Sequence, residues 1–201
     1  LRVTDGSIAY EKFPYPIHRI TGELELWNGQ WTFRDLRGVN DSGRITCSGS
    51  LADASEGTLL TLQFTATDLP LEDELRAAVP QKFQAVWSNL RPRGTIDRVS
   101  ANIRYWPKLK QYEFNVLANK WPERPDGNGQ TISIYPRTFP YRLNDVEGEF
   151  RYRDGYLSFT GLKARHGAVT FTSKGFCEVP AQGGWRLRFN DIRTNGLNMD
   201  R

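Results

Sequence analysis

Residues Phe13 to Leu36 read FPYPIHRITGELELWNGQWTFRDL, and residues Phe139 to Leu162 read FPYRLNDVEGEFRYRDGYLSFTGL. The second stretch repeats the first without a gap, at an offset of 126 residues, the difference between positions 139 and 13. The matching residues are Phe13, Pro14, Tyr15, Gly22, Glu23, Gly29, Phe33 and Leu36 in the first copy, and Phe139, Pro140, Tyr141, Gly148, Glu149, Gly155, Phe159 and Leu162 in the second. Such self-similarity predicts a duplicated supersecondary unit.

Alternating side chains indicate the secondary structure of each copy. Leu24 and Leu26 alternate with glutamates until Asn28-Gly29 turns the chain. Trp31 and Phe33 continue the alternation on the return. Side chains at every second position of a strand share one side of the sheet, so these strands have one apolar and one polar face. The pattern recurs along the chain and predicts roughly a dozen strands joined by short turns, which is typical of an antiparallel meander.

Residues 71 to 90 break this period. Their apolar side chains recur every three or four positions, which indicates a helix, and acidic residues at its start suit a helix N-terminus. Pro80 is expected to divide the segment into two helical pieces, because proline lacks the amide hydrogen and clashes with the preceding turn. The apolar stripe is expected to cover one end or part of the apolar sheet face.

The predicted fold class is mainly β, with antiparallel meanders in two related repeats that form a curved one-sided sheet or an open sandwich. The expected divisions are a first meander over 1–70, a helical insert over 71–93, a hairpin and loop over 94–130, and a second meander over 131–201, all compatible with one continuous domain. Asp5-Gly6 is expected to turn a short hairpin. Leu197 lies 126 residues after Leu71, where a second helix would start.

Composition and charge narrow the function classes. The net charge of +4 comes from single arginines spread along the strands, whereas a nucleic-acid binder concentrates positive charge on one face. The chain starts at Leu1 and has no apolar run of signal-peptide or membrane-span length, so we interpret it as a piece of a longer protein. Cys47 and Cys177 do not occupy equivalent repeat positions and are expected to be apolar thiols, although a disulfide stays open.

No motif for catalysis or metal binding stands out. His18 and His166 occur in unrelated contexts, and both are expected at the surface. Glu23 and Glu149 recur, but the alternation places them on the polar face, where a solvated carboxylate is the simpler interpretation. Glu72, Asp73 and Glu74 are explained by the helix N-terminus without a metal. The sequence therefore predicts a protein that is not an enzyme and that holds no cofactor or metal.

An apolar sheet face must be hidden from water, because exposed apolar area costs roughly 25 cal/mol per Å². One helical segment of about twenty residues, roughly 30 Å long, is too small to cover two meanders. The sheet can fold onto itself as a sandwich, be covered by the helix, or hold an apolar ligand in a groove. The predicted lining of such a groove is Leu24, Leu26, Phe33, Leu62, Phe64, Phe150, Phe159, Phe171, Leu187 and Phe189.

An alternative uses three tryptophans. Trp27, Trp106 and Trp121 lie out of phase with the apolar face or near turns, where an indole ring can stack on a sugar. This pattern favours a carbohydrate-binding β-sandwich module. A hydrolase is a third possibility, and it requires Glu23 or Glu149 to converge with other carboxylates in a cleft.

The combined motifs resemble those of AsmA-like proteins of double-membrane bacterial envelopes, which are related to TamB-type and YhdP-type proteins. The resemblance covers most of the chain outside the helix and the loop over 121–130. It rests on Asp5-Gly6, Phe13-Pro14-Tyr15, Gly22-Glu23-Leu24, Asn28-Gly29, Leu36-Arg37-Gly38, Gly49-Ser50-Leu51 and the second copy over Phe139 to Leu162.

The resemblance implies a periplasmic part of a membrane-anchored envelope protein, built from repeated β meanders that curl into an apolar groove. It implies a role in phospholipid transport or outer-membrane assembly, with phospholipid acyl chains, envelope proteins or adjacent repeats of the same chain as partners. It implies no shared catalytic residues. The helical insert departs from the family pattern, and in this chain it is expected to plug part of the groove.

Overall fold

A computed structural model describes residues 1–11, 13–55, 57–122, 130–137, 141–153, 155–180 and 184–195. Within these ranges eleven strands and two helices follow one another along the chain. The strands are β1 (Arg2–Tyr10), β2 (Phe13–Trp27), β3 (Gln30–Asn40), β4 (Gly43–Ala54), β5 (Gly57–Pro70), β6 (Thr95–Trp106), β7 (Gln111–Lys120), β8 (Asn144–Arg153), β9 (Tyr156–His166), β10 (Val169–Glu178) and β11 (Arg186–Asn195). The helices α1 (Asp73–Ala78) and α2 (Gln81–Leu90) connect β5 to β6.

All eleven strands form one sheet, in the order in which they occur in the chain. Every neighbouring pair is antiparallel, and β1 and β11 are the two edges. The predicted fold class is therefore confirmed: the protein is mainly β and antiparallel, with one helical segment. Of the two predicted forms, the described chain adopts the single open sheet. The strands of both repeats pair without interruption, since β5 pairs with β6 and β7 pairs with β8.

The pairing of strands reproduces the sequence repeat. Leu24 lies opposite Phe33 in the first copy, and Phe150 lies opposite Phe159 in the second, an offset of 126 at both positions. The isolated bridge between Ile134 and Leu143 corresponds in the same way to the Ile8–Ile17 pair of β1 and β2. The duplicated motif therefore encodes a duplicated register.

The backbone irregularities recur as well. Arg19 has φ 52° and its counterpart Asp145 has φ 50°, while Gly22 and Gly148 have φ 149° and 141°. A Cβ atom at Gly22 would meet the backbone Cα of Leu36 at 2.8 Å. Only glycine accepts that conformation and that approach, which explains why the repeat preserves this residue.

The offset changes at the last strand. Leu60 lies opposite Leu51 in the first copy, but Leu187 lies opposite Cys177 in the second, so the offset on β11 is 127 at this pair, and it becomes 128 beyond the register shift between Lys174 and Gly175. The increase from 126 to 127 comes from the connection between β10 and β11, which is longer than the connection between β4 and β5. The prediction about Leu197 lies outside the described residues.

The helical segment divides where the sequence predicts. Pro80 separates the two helices, and Val79 before it is extended, with ψ 149°. Leu75 and Ala78 of α1 are buried together with Tyr15, Ile45 and Leu69 of the sheet. Among the described residues, no helix is both long enough and apolar enough to cross a membrane.

A second buried cluster lies on the same face. Ile132, Val146 and Ala164 form it, and Leu71 and Ile96 pack against both clusters. The described residues 130–137 therefore extend the cover that begins with the helices. This cover lies at the end of the sheet where β5 ends and β6 and β8 begin.

One predicted turn is wrong. Asp5 and Gly6 do not reverse the chain, because Arg2 to Tyr10 continue as one strand along β2. Asp5 has φ 57°, and the register shifts between Val3 and Gly6. The Asp-Gly pair therefore produces a β-bulge, which uses the same positive φ that a tight turn would use.

Both cysteines are free, in agreement with the prediction of apolar thiols. Cys47 on β4 and Cys177 on β10 are six strands apart, roughly 29 Å at the usual strand spacing, so they cannot pair with each other. Burial raises the pKa of Cys47 to about 11, and burial followed by the nearby Glu178 raises the pKa of Cys177.

We expect both thiols to react slowly with a disulfide reagent in the folded protein, because only the thiolate attacks. For Cys47, whose pKa is raised to about 11, this rise leaves about 100-fold less thiolate at neutral pH. Both thiols should react rapidly in guanidinium chloride, which is the control. Fast labelling of Cys177 in the folded chain would contradict the burial described here.

Candidate functional site

The ten residues predicted to line a groove lie on one face of the sheet. Residues directly opposite each other on neighbouring antiparallel strands point to the same side, so the pairing defines rows that cross the sheet. One row crosses β2 to β7 and consists of Leu24, Phe33, Gly49, Leu62, Ile103 and Phe114. A parallel row nearer the β2–β3 turn consists of Leu26, Trp31, Leu51, Leu60, Tyr105 and Tyr112. We call these twelve residues the open strip.

Two further rows run beside the open strip, nearer the helices. One consists of Leu36, Cys47, Phe64, Ala101, Val116, Tyr152, Leu157, Cys177 and Leu187. The other consists of Ile45, Ala66, Val99, Ala118, Phe150, Phe159, Gly175 and Phe189. We call them the inner rows. All four rows are almost entirely apolar, so the apolar face extends over most of the sheet.

Burial is greatest in parts of the inner rows, where five of the seventeen residues are buried; the others are half-buried, apart from exposed Phe189. Ile45 and Phe159 of the inner rows are 7% and 5% exposed. None of the twelve residues of the open strip is buried, and its two ends are the most exposed, with Leu26 at 54% and Tyr112 at 66%. The helical segment therefore covers one end of the apolar face and leaves the other end accessible.

Stacked aromatic rings mark the boundary between the two regions. Phe83 of α2 contacts Tyr152 edge-on, with 5.0 Å between ring centroids. Tyr152 stacks on Phe114 at 5.0 Å, and Phe114 stacks on Tyr112 at 5.9 Å. The Lys82 ammonium donates a hydrogen bond of 3.3 Å to the Tyr152 hydroxyl oxygen. The rings lead from the helix across the sheet to exposed Tyr112, and Lys82 places a positive charge where the cover ends.

The predicted lining residues fall into two groups. Leu24, Leu26, Phe33 and Leu62 belong to the open strip. The other six lie nearer the helical cover or on the last strands. Among them, Phe64 packs on the first buried cluster and Phe150 packs on the second. The prediction missed eight members of the strip: Trp31, Gly49, Leu51, Leu60, Ile103, Tyr105, Tyr112 and Phe114. The same alternation contained the signal for seven of these eight, all except Gly49.

The three tryptophans of the carbohydrate alternative do not share a surface. Trp27 is the last residue of β2 and Trp106 is the last residue of β6, so both lie at the same end of the strands, four strands apart. Trp121 follows the last residue of β7 at the opposite end of the strands, about 30 Å away along this ten-residue strand. Trp106 was expected to be exposed but is buried, with 8% of its surface accessible; the Arg104 guanidinium lies 4.8 Å from its ring centroid. The described residues also form no second sheet, so the sandwich of this alternative is absent from them.

The residues considered for catalysis are equally dispersed. Glu23 on β2 and Glu149 on β8 are six strands, about 29 Å, apart, and the latter accepts a hydrogen bond of 3.3 Å from Arg151. The His166 Nδ1 donates to the Arg142 carbonyl oxygen at 2.8 Å, and exposed His18 lies near β1. Glu23 and Glu149 therefore cannot act on one bond.

One group of acidic residues does converge. Carboxylate oxygens of Asp41, Glu72 and Glu74 all lie within 4.8 Å of one another. The sequence pattern missed Asp41, which comes from the β3–β4 turn, whereas Asp73 points elsewhere and pairs with Arg76. Burial and then the Asp41 charge raise the pKa of Glu72. Burial, followed by the charges of the three carboxylates, raises the pKa of Tyr15 well above its usual value.

No protein-family model, curated protein or solved structure matches this chain. The likeness to AsmA-like proteins therefore rests on the sequence motifs alone. The functional argument depends on the geometry of the apolar face.

Proposed function

We propose that this chain is a non-enzymatic part of an AsmA-like envelope protein, in which the open strip shelters phospholipid acyl chains during lipid transport or outer-membrane assembly. The observation that carries the proposal is the open strip itself. Six neighbouring strands present two rows of apolar and aromatic side chains that the helical segment leaves uncovered. Contiguous exposed apolar surfaces of this kind mark ligand or interaction sites.

The chemistry of the strip favours an acyl chain over a polar ligand. The twelve positions contain no charged side chain, and their polar groups are the Tyr105 and Tyr112 hydroxyls and the Trp31 indole N–H. The backbone amides and carbonyls beneath them are paired within the sheet ladder, so the centre of the face offers few hydrogen bonds. A ligand held here must be satisfied by apolar contact, as a hydrocarbon chain is.

The dimensions also support the proposal. Six strands at the usual spacing give the strip a length of about 24 Å across the sheet. The strip lies between the helical cover on one side and the turns after β2, β4 and β6 on the other, so a chain bound along it would cross the strands. The periplasmic location belongs to this proposal and follows from the family resemblance.

We expect a glutamate at the centre of the strip to abolish lipid binding, because a carboxylate there would lose hydration against bound hydrocarbon. Leu62→Glu tests the centre. Leu26→Glu and Tyr112→Glu test the exposed ends, where substitution disturbs the fold least. Native mass spectrometry of the purified chain, and displacement of a fluorescent fatty acid from it, measure binding. Each strip variant should reduce fluorophore binding by about tenfold or more, since a buried carboxylate costs well over 1.4 kcal/mol.

Gln63→Glu is the matched control. It adds the same charge at the next residue of β5, on the polar face, and should leave binding unchanged. Thermal melts followed by circular dichroism establish that all variants fold. Absence of co-purified lipid together with absence of fluorophore binding would refute the proposal. A dimer that dissociates in the strip variants would instead identify a second copy as the occupant.

A further inference from the structure

We propose that Asp41, Glu72 and Glu74 bind a calcium ion that ties the start of α1 to the β3–β4 turn. This site is separate from the open strip, and its test does not depend on the ligand of the strip. Asp41 belongs to the turn after β3, and the two glutamates flank the first residue of α1. An ion between them would link the helical cover directly to the sheet.

Three carboxylates alone would not make a site, but buried neighbours with no partner accompany them. The Tyr15 hydroxyl is buried and has no hydrogen-bond partner among the described residues, although tyrosine hydroxyls in protein interiors are normally paired. The carboxylates of the cluster are the charges that act on it. Its oxygen therefore lies near enough to the cluster to be affected by those charges, and no described residue satisfies it.

Asn40 also has a buried oxygen that is unpartnered in the described ranges, and its side chain contacts the carboxylate cluster. Its amide nitrogen donates to a Glu74 carboxylate oxygen at 2.9 Å and to the Pro16 carbonyl at 2.8 Å. The residue is 3% exposed, yet its side-chain oxygen has no partner within the described part of the chain, and neither does one buried oxygen of Glu72. Unsatisfied oxygens around carboxylates are the environment that a bound cation completes.

The chemistry and spacing of the oxygens fit calcium. All candidate ligands are hard oxygen donors, which calcium prefers, and calcium accepts six to eight of them at about 2.3–2.6 Å in flexible geometry. Oxygens that surround one such ion are separated by up to about 5 Å, and the three carboxylates satisfy this limit with separations within 4.8 Å. None of the ion pairs formed by described residues involves these three carboxylates. A divalent cation would neutralise most of their mutual repulsion.

Isothermal titration calorimetry with calcium chloride, after treatment with a chelator, should show one ion per chain. Calcium should also raise the thermal midpoint of unfolding, because the ion binds only the folded arrangement. Asp41→Asn and Glu72→Gln should each weaken binding by about tenfold or more, since affinity depends on the number of ligand charges. Asp41 has φ 45°, a conformation that asparagine accepts, so its variant keeps the turn.

Asp73→Asn provides the control. It removes a charge from the same turn of helix, but Asp73 pairs with Arg76 outside the cluster, so binding should be unchanged. Without calcium, Glu72→Gln should be at least as stable as the parent chain, because it relieves repulsion. The proposal would be overturned if adding calcium produced no binding heat and no thermal shift. It would also be overturned if Asp73→Asn weakened binding as much as Asp41→Asn. Tighter binding of magnesium than of calcium would overturn the assignment to calcium.

Discussion

Lys120→Met should lower the free energy of unfolding by about 3–5 kcal/mol, the usual cost of removing one partner of a buried ion pair. The Lys120 ammonium lies 2.8 Å from an Asp97 carboxylate oxygen, and the two side chains are 5% and 0% exposed. The second Asp97 oxygen accepts the backbone N–H of Trp121 at 2.8 Å. Methionine fills a similar volume but leaves a carboxylate in the interior without a counter-charge. Urea denaturation measures the change.

Two variants distinguish this effect from a general loss of packing. Asp97→Asn/Lys120→Met removes both charges and should recover a large part of the stability lost in the single variant, because the uncompensated charge is gone. Arg34→Met breaks an exposed pair, in which Arg34 lies 2.7 Å from Glu25, and should cost less than about 1 kcal/mol. Equal losses in the double and single variants would show that the charge is not the cause.

Gly175→Ala should destabilise the sheet by about 2–3 kcal/mol through overpacking. A Cβ atom at this position would collide with the backbone carbonyl oxygen of Arg188 and would lie 2.7 Å from the Phe159 ring. Phe159 and Phe189 flank the glycine in the same inner row and meet edge-on, with ring centroids 5.7 Å apart. The two rings occupy the space that a side chain would need. A thermal or urea melt measures the loss.

The repeat offers an internal comparison. Gly49 lies 126 residues before Gly175, between Phe33 and Leu62, and a Cβ atom there would collide with the Thr61 carbonyl oxygen. Gly49→Ala should therefore lose a similar amount of stability, and the two losses should add because the sites are far apart. Gly6→Ala is the control, since the nearest atom to its Cβ is a valine methyl group at 3.2 Å and the nearest backbone atom is 3.7 Å away. A loss for Gly6→Ala as large as that for Gly175→Ala would contradict the steric explanation.

Strand positions and the division of the helix at Pro80 could be predicted because they depend on local chemistry. Alternation identifies the side of a strand that is apolar, and the repeat identifies the same register twice. The turn predicted at Asp5-Gly6 was wrong because the same positive φ serves both a turn and a bulge. The expected exposure of Trp106 was also wrong: the residue is 8% exposed, and the Arg104 guanidinium lies 4.8 Å from its ring centroid.

Residues distant in sequence could not be joined from the pattern. Asp41 is 31 positions before Glu72, and Asp97 is 23 positions before Lys120, so no local period relates them. Alternation places seven of the eight missed members of the open strip on the apolar face, but it does not show which of them share a row. The rows are defined by register across six strands, and register depends on the bulges and turns between them.

The sequence by itself determined a duplicated, one-faced antiparallel sheet interrupted by a helical segment, because alternation, turn residues and proline act over a few neighbouring positions. Only the tertiary structure decided which part of the apolar face is covered. The helices and residues 130–137 lie over one end of that face, and the rows through Leu24 and Leu26 stay accessible. Whether a part of the face is covered depends on where the helical segment packs in space. The alternation of apolar residues in the sequence is the same whether a helix or a ligand covers the face.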